Sequence, residues 1–321
     1  MTCSASMASR RSPDMDTSED MPPLTPLSRQ QKKIVKAGEL IFLDKATDQD
    51  KAFLARQLVQ TTLPHSDPGN VPVWSRQNGN VTLTIQQGYD DDGTPYGHPY
   101  GTIPRLLMYW MTTEAVRTKS TRLELGDSLS AFMDELGLDS SRGGKRSDAH
   151  RLKEQMTRLL EARISFTTMV EHDGVYGQAR DRMQVAEKTL LWWDHKAPKQ
   201  RTLWGSSIVL DGRFFEAITA NPVPVDIRAL RAIKRSPLAL DLYSMLTYQA
   251  FRAGKGGKPR FMSWGQLQSA LGTNYTETGD LRRAIKAALV KIQTVYPNLA
   301  IGERDGGIEV LPGSATAIAP R

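Results

Sequence analysis

The sequence predicts the same order of secondary-structure elements twice: a helix, a short strand, two further helices and a β-hairpin. In the first repeat, an apolar helical stripe covers residues 104–117 and the alternating strand TRLEL follows it. Asp127 is placed to cap the second helix, and Gly137 to end it, since glycine readily adopts the left-handed turn that closes a helix. A third helix over residues 146–162 leads into strands that turn at Asp173-Gly174.

The second repeat follows the same order. Its first helix is capped by Ser236, with Pro237 at the first helical position, where the missing N–H group costs nothing. A short strand then leads to Ser263 and Gln266, the pattern of a capping box in which each side chain accepts a hydrogen bond from the other residue's N–H group. A helix over residues 278–295 and a hairpin complete the repeat.

This order is that of a winged helix, in which a helix-turn-helix is followed by a β-hairpin wing. Two copies predict an α+β fold with two tandem winged-helix domains and a disordered N-terminal tail. We expect a disordered, partly helical N-terminal extension over residues 1–70. The first winged-helix domain is then predicted over residues 71–199 and the second over residues 200–321.

Two segments outside the repeats have weaker patterns. Phe53 and Leu54 belong to an apolar periodicity that predicts a helix over residues 47–60. A run rich in proline and glycine follows, so compact structure is expected to begin near Val71. The segment 208–233, between the repeats, is expected to be an N-terminal addition to the second domain.

The chain has a net charge of +7, concentrated in one segment. Residues 228–260 contain eight lysines or arginines and one acid, Asp241, an excess equal to that of the whole chain. Such a concentration suits nucleic acid as a partner, although a merely solvated basic surface has the same composition. The single cysteine, Cys3, cannot form an intramolecular disulfide, and no apolar run reaches the roughly 20 residues that span a bilayer. These features favour a cytoplasmic protein without membrane contact.

The third helices of the two repeats differ in the charges predicted on their outward faces. Between Arg151 and Glu161, two arginines alternate with two glutamates at spacings that favour ion pairs within the helix. The outward face of the later helix carries Arg283 and Lys286, flanked by Arg282, and is predicted to contain no acid. Acids facing phosphates are repulsive, so the later helix is predicted to read bases in the major groove.

Arginine can donate two parallel hydrogen bonds to guanine, a contact worth about 1–3 kcal/mol of discrimination. Arg282 and Arg283 are therefore the leading candidates for base reading, with Lys286 on a phosphate or a base. The further candidates for DNA contact in the second repeat are Asn274, Tyr275, Thr276, Lys255, Lys258 and Arg304. In the first repeat, backbone contacts are predicted where a helix N-terminus favours phosphate, at Lys145, Arg146, Ser147 and Arg151. Two alternatives stay open. The basic residues of the second repeat can form a merely solvated surface, and the first domain can serve dimerisation instead of DNA contact.

No motif predicts a catalytic, metal or cofactor site. The segments GKGGKP (254–259) and GGKRS (143–147) lack the GxxxxGK[ST] spacing of a phosphate-binding loop. The five histidines have no metal-binding spacing, so we predict that the chain is not an enzyme. Three tryptophans, Trp192, Trp193 and Trp204, could stack on single-stranded bases, but such residues more often pack in cores.

Two stretches resemble the plasmid-encoded RepA-type replication initiators: YGTIPRLLMYWMTTEAVRTKSTRLELGDSLSAFMDELGL (100–138) and GGKRSDAHRLKEQMTRLLEARISF (143–166). KRSPLALDLYSMLTYQAFR (234–252) is similar to the helix that opens the second DNA-binding domain of plasmid initiators. The resemblance implies two winged-helix domains, binding to repeated sequences in double-stranded origin DNA, and recruitment of host replication proteins. It also implies a bacterial protein that acts on DNA as a monomer and can form a homodimer through its first domain.

Two other functions stay open. A transcriptional regulator with duplicated winged helices would read operator DNA with the same helix face, so the residues alone do not separate it from an initiator. A DNA-nicking enzyme is less favoured, because it needs a clustered metal site beside its tyrosine.

Overall fold

A computed structural model describes residues 26–192, 205–271, 275–314 and 317–318 of the 321-residue chain. Over these residues, helices and short antiparallel strands form a mixed α+β fold, which confirms the predicted fold class at that level. The elements before the first repeat are α1 (Arg29–Leu43), a 3₁₀ turn (Asp48–Asp50), β1 (Lys51–Ala55), α2 (Arg56–Gln60), β2 (Val73–Asn78), β3 (Val81–Gln86), β4 (Gly88–Tyr89) and β5 (Pro95–Gly97).

Both predicted runs of elements are present. The first repeat consists of α3 (Thr102–Thr118), β6 (Arg122–Glu124), α4 (Leu129–Glu135), α5 (Asp148–Leu160), β7 (Arg163–His172) and β8 (Val175–Gln184). The connecting elements are β9 (Ala186–Leu190), β10 (Ser207–Leu210), α6 (Gly212–Thr219), β11 (Pro222–Asp226) and α7 (Ile227–Ile233). The second repeat consists of α8 (Pro237–Gly256), β12 (Arg260–Ser263), α9 (Trp264–Ala270), α10 (Thr278–Val295), β13 (Ile301–Arg304) and β14 (Gly307–Val310).

Local capping residues set where the helices begin. The Ser236 hydroxyl accepts a hydrogen bond at the start of α8, and Ser263 and Gln266 form the predicted capping box of α9. The start of α4 is one residue later than predicted. Ser128, rather than Asp127, takes the N-cap position, because its hydroxyl accepts a backbone N–H of the first turn.

The segment before the first repeat differs from its predicted structure. β1 is a strand rather than a helix, because it pairs along its length with β11 and buries Ala52 and Leu54. Pairing with a distant strand thus overrides the local helical periodicity around Phe53, and helix begins only in α2. Compact structure also begins well before Val71, since α1 packs against α7 and α10 and buries Ile34.

The hairpins of the two repeats join different kinds of sheet. The hairpin β7–β8 extends a four-stranded sheet of order β2-β3-β7-β8 that starts before the first repeat. The hairpin β13–β14 pairs instead with the short strand of its own repeat, in the order β12-β14-β13. β1 with β11 and β4 with β5 form separate two-stranded pairs.

Strand β10 joins the first repeat rather than the second. It lies between β6 and β9 and pairs antiparallel with both. Ile208 and Leu210 are fully buried, and a short apolar strand of this kind is best protected at the centre of a sheet. The prediction that residues 208–233 extend the second domain is therefore wrong for β10. It holds better for α7, which contacts α8 and α10.

Candidate DNA interface

Helix α10 presents a basic surface along its N-terminal half. Its apolar stripe, which includes Leu281 and Ile285, is buried, and the helix packs against α8 and α9. The helical period therefore turns Arg282, Arg283 and Lys286 toward solvent. The side chain of Arg283 is 82% exposed and that of Lys286 is 55% exposed, so both can reach an external ligand.

The outward surface of α10 is not free of acids, so that prediction is wrong. Asp280 precedes Arg283 by three residues, a spacing that brings the two side chains together in an ion pair. Glu303 on β13 lies 3.1 Å from the Lys286 ammonium, because the hairpin returns beside α10. Exposed pairs of this kind contribute only about 0–1 kcal/mol, so a phosphate or a base can compete for either cation.

Two arginines of this region lie over aromatic rings. The guanidinium of Arg282 is 5.0 Å from the ring centre of Trp264 on α9. That of Arg304, on the hairpin, is 5.4 Å from the ring centre of Phe261 on β12. Such cation–π contacts are worth about 0.5–1 kcal/mol at exposed sites. They hold both guanidinium groups against rigid elements while the side chains stay exposed.

The other residues predicted around the second repeat are spread more widely. Tyr275 and Thr276 are exposed just before α10, and Asn274 lies outside the described residues. Lys255 and Lys258 are exposed, but the loop after α8 enters β12 at Arg260, which pairs with Val310. The hairpin turn beside Arg304 lies at the other end of β12, where Gly307 pairs with both Ser263 and Arg304. The two ends of β12 are three residues, or about 10 Å, apart. The two lysines therefore lie at the opposite end of the sheet from the hairpin turn.

The residues predicted at the start of α5 have different surroundings. Lys145 and Arg146 are exposed. Ser147 is buried and its hydroxyl caps α5, while Arg151 forms an ion pair with Asp148 at 3.4 Å. Lys145 and Arg146 are therefore better placed than the other two for a phosphate contact.

Arg158 on α5 is committed to contacts within the protein. It forms ion pairs with Glu154 at 2.7 Å and with Asp67 at 3.3 Å, and it donates to the carbonyl oxygen of His98. Its side chain is 15% exposed. The mixed charges of α5 thus serve the fold in part, as the predicted ion pairs within the helix suggested.

The basic segment 228–260 does not form one surface. Arg228 forms an ion pair with Asp226, and Arg231 donates to the carbonyl oxygen of Glu135 on α4. Both guanidinium groups thus have partners within the protein, although Arg231 is exposed. Some of the positive charges in the segment are therefore already paired with protein groups and are less available to a ligand.

A buried polar network joins α3 to α8, and sequence reasoning missed it. Arg105 donates to both carboxylate oxygens of Asp241, at 2.8 and 2.7 Å, and His65 Nε2 lies 2.7 Å from one of them. Burial alone would raise the pKa of Asp241, but Arg105 and His65 hold that pKa below its ordinary value. Burial lowers the pKa of His65. The one signal in the sequence was Asp241 itself, a lone acid within a basic, apolar segment.

Two further observations concern only the described part of the chain. Within it, no group of three or more His, Cys, Asp or Glu side chains is arranged to hold a metal ion. None of its helices is both long and apolar enough to cross a membrane. Of the three tryptophans considered for base stacking, Trp192 is exposed, whereas Trp193 and Trp204 lie outside the described residues.

A family model described as plasmid-encoded RepA protein matches residues 98–266, just over half of the sequence. The chain is therefore a member of a class of replication initiators encoded by plasmids, and it belongs to the RepA family. This confirms the resemblance seen in residues 100–166. The match ends within α9, so α10 and its basic surface lie beyond it.

No curated protein matches the chain. Among solved structures, it is similar to a crystal structure of a selenomethionine derivative of domain 2 and domain 3 of RctB. The two share 9% sequence identity with a TM-score of 0.45, over 80% of this chain and 97% of that one.

Proposed function

We propose that this RepA family member initiates plasmid replication by binding repeated sequences in double-stranded origin DNA, and that it does so without catalysing a reaction on the DNA. The observation that carries the proposal is the surface of α10, where Arg282, Arg283 and Lys286 are exposed beside the hairpin that bears Arg304. These groups combine base-reading arginines with cations for phosphates.

The arrangement of the second repeat supports a winged helix. A helix, a strand, two helices and a hairpin follow in order, and the hairpin pairs with the strand through β14. In a winged helix the third helix enters the major groove and the hairpin reaches the neighbouring backbone. On this model α10 reads bases, and Arg304 on the hairpin contacts phosphate.

We assign the first repeat a different part in the same function. It is a winged helix in our proposal, modified by insertion of β10 between β6 and β9. Lys145 and Arg146 contact the DNA backbone without reading its sequence. Dimerisation through this repeat and contacts with host replication proteins in the bacterial cytoplasm follow from the family resemblance.

The test begins with footprinting of the full-length protein across the replication region of its source replicon. We expect protected repeats, and we expect Arg283→Ala to require a higher protein concentration for the same protection, while Arg142→Ala requires no change. Arg142 is a suitable control because its side chain is 83% exposed and lies in the loop between α4 and α5. A plasmid that carries only this origin should then be maintained when the protein is supplied in trans.

Two outcomes would overturn the proposal. Protection of an operator without replication in trans would favour a transcriptional regulator with the same DNA-reading surface. Relaxation of supercoiled origin plasmid by the purified protein in the presence of magnesium would show a nicking enzyme instead.

A further inference from the structure

The four-stranded sheet β2-β3-β7-β8 has one face on the core and one open face. On the core face, Leu83, Ile85, Ile164 and Phe166 are buried. Residues directly opposite one another in antiparallel strands point to the same side, so the register defines the outward residues as three rows. The rows are Val73–Gln86–Arg163–Gln184, Ser75–Thr84–Ser165–Arg182 and Gln77–Thr82–Thr167–Arg180, here termed the open sheet face.

The composition of the open sheet face is one-sided. Among its twelve residues are three arginines, no acid and a single apolar residue, and the remaining eight are serine, threonine or glutamine. Solvated surfaces usually mix both signs of charge. The acid of β8, Asp181, is paired with Phe166 and so points to the other side, and Glu171 lies beyond the rows near the hairpin turn.

The three arginines are not equivalent. Arg163 and Arg182 are exposed, and neither forms an ion pair within the described ranges. Arg180 donates from Nε to the hydroxyl of the buried Thr167 at 3.0 Å, so it has a structural role as well. Two uncommitted guanidinium groups are thus held on a rigid sheet.

The size of the open sheet face limits what it can hold. Alternate residues of a strand are about 6.7 Å apart and neighbouring strands about 4.8 Å apart, so the rows cover about 14 Å in each direction. That length equals the rise of about four base pairs of DNA. A ligand of this kind would meet two or three phosphates rather than a long tract.

We propose that the open sheet face binds the sugar–phosphate backbone of duplex DNA without reading its sequence. Arginine, serine, threonine and glutamine side chains are the groups that contact phosphate and sugar oxygens in protein–DNA complexes. The rows contain no aromatic side chain, so they offer no stacking platform for single-stranded bases. The proposal rests on the proposed function only in taking DNA as the ligand, and it uses a surface separate from α10.

The test measures binding of the full-length protein to a fluorescent random-sequence duplex over a series of salt concentrations. We expect Arg163→Gln/Arg182→Gln to weaken binding and to flatten the log–log salt slope by about 0.9 per lost phosphate contact, about 1.8 in total. The matched control is Arg122→Gln/Arg142→Gln. It removes the same charge from exposed arginines that are already paired with Glu124 and Asp139.

Two additional arms make the result decisive. Arg163→Lys/Arg182→Lys keeps the charge and should keep the slope, which separates loss of charge from loss of fold. A single-stranded oligonucleotide of the same composition should respond less than the duplex to the glutamine variant.

An unchanged slope in the glutamine variant would overturn the proposal, as would a loss confined to the single strand. If Arg282→Ala/Arg283→Ala abolishes selective binding to the footprinted origin while the sheet variant has no effect, origin binding stands and the sheet proposal fails. If the wild-type protein binds neither duplex, both proposals fail together.

Discussion

The two repeats share one order of elements but place their arginines in different environments. In the first repeat, Arg105 and Arg158 are largely buried and bind carboxylates and backbone carbonyls of the protein itself. In the second, Arg282 and Arg283 are exposed on α10, where Arg282 lies over an aromatic ring and Arg283 forms an exposed ion pair. Burial therefore separates arginines that stabilise the fold from arginines that can meet a ligand, in two segments with similar patterns.

The largest effect on stability is expected for a variant of the buried arginine Arg105. Arg105→Ala would leave Asp241 buried without its cation, and removal of one partner of a buried pair costs about 3–5 kcal/mol. We expect that loss in the free energy of unfolding, measured by chemical denaturation of the full chain. Because the pair joins α3 to α8, the loss should affect both repeats in one transition.

Two variants control this prediction. Arg142→Ala removes an arginine that is 83% exposed and should change stability by less than about 0.5 kcal/mol. Arg105→Met/Asp241→Leu removes both charges and should recover much of the loss. If Arg105→Ala lowered the free energy of unfolding by less than about 1 kcal/mol, buried Arg105 would not stabilise the fold as we expect.

The next effect concerns the exposed arginines. Arg283→Ala should weaken binding to the footprinted origin by about 1–3 kcal/mol, roughly five- to 150-fold, with a smaller effect on a scrambled fragment. Lys145→Gln/Arg146→Gln at the start of α5 should weaken binding to both fragments equally, because phosphate contacts carry no sequence information. Fluorescence anisotropy on the two fragments measures both. Equal losses on both fragments for Arg283→Ala would remove α10 from the role of reader.

The features that sequence could predict were local ones. The caps at Ser236 and Ser263, and the stripe that turns Arg282 and Arg283 outward, depend on residues within one or two turns. β1 could not be predicted, because its conformation is fixed by a strand about 170 residues later, where Lys51 pairs with Asp226.

The same division applies to the charges. Asp280 stands three residues before Arg283, so their pairing was visible in the sequence and was overlooked. Glu303 reaches Lys286 only because the hairpin returns beside α10, and Arg105 meets Asp241 across 136 positions. Such contacts depend on the packing of whole elements, which no short pattern encodes.

The buried network should also make the stability of the protein depend on pH. Burial lowers the pKa of His65 below its ordinary value of 6.5, so between the two pKa values the unfolded chain binds a proton that the folded protein does not. Stability contributed by neutral His65 is therefore complete above about pH 6.5 and is lost as the pH falls toward the folded-state pKa. One proton limits this slope to at most about 1.4 kcal/mol per pH unit.

Denaturant unfolding at several values between about pH 7 and pH 5 measures this slope. His65→Gln keeps a donor for Asp241 and should remove the slope, whereas His172→Gln, at a side chain that is 95% exposed, should keep it. If the two variants had the same pH dependence, protonation of His65 would not be the cause of the change in stability.

The smallest effect tests whether the ion pairs on α10 yield to DNA. Asp280→Asn and Glu303→Gln each break an exposed pair worth at most about 1 kcal/mol, and each removes an acid beside a cation. We expect binding to both the origin and the scrambled fragment to become about 1.4- to 5-fold tighter, measured by anisotropy at low salt. Asp173→Asn, at the turn between β7 and β8, removes an acid whose side chain is 89% exposed and lies far from α10 along the chain, and it should change neither.

The opposite result at Asp280 would sharpen the model of α10 in a particular way. If Asp280→Asn weakened binding to the origin and spared the scrambled fragment, the carboxylate would be orienting the Arg283 guanidinium toward a base. An arginine held by a neighbouring acid loses less rotamer freedom when it forms its bidentate contact. The ion pair would then belong to the reading surface, and α10 would resemble α5 in using acids to position its arginines.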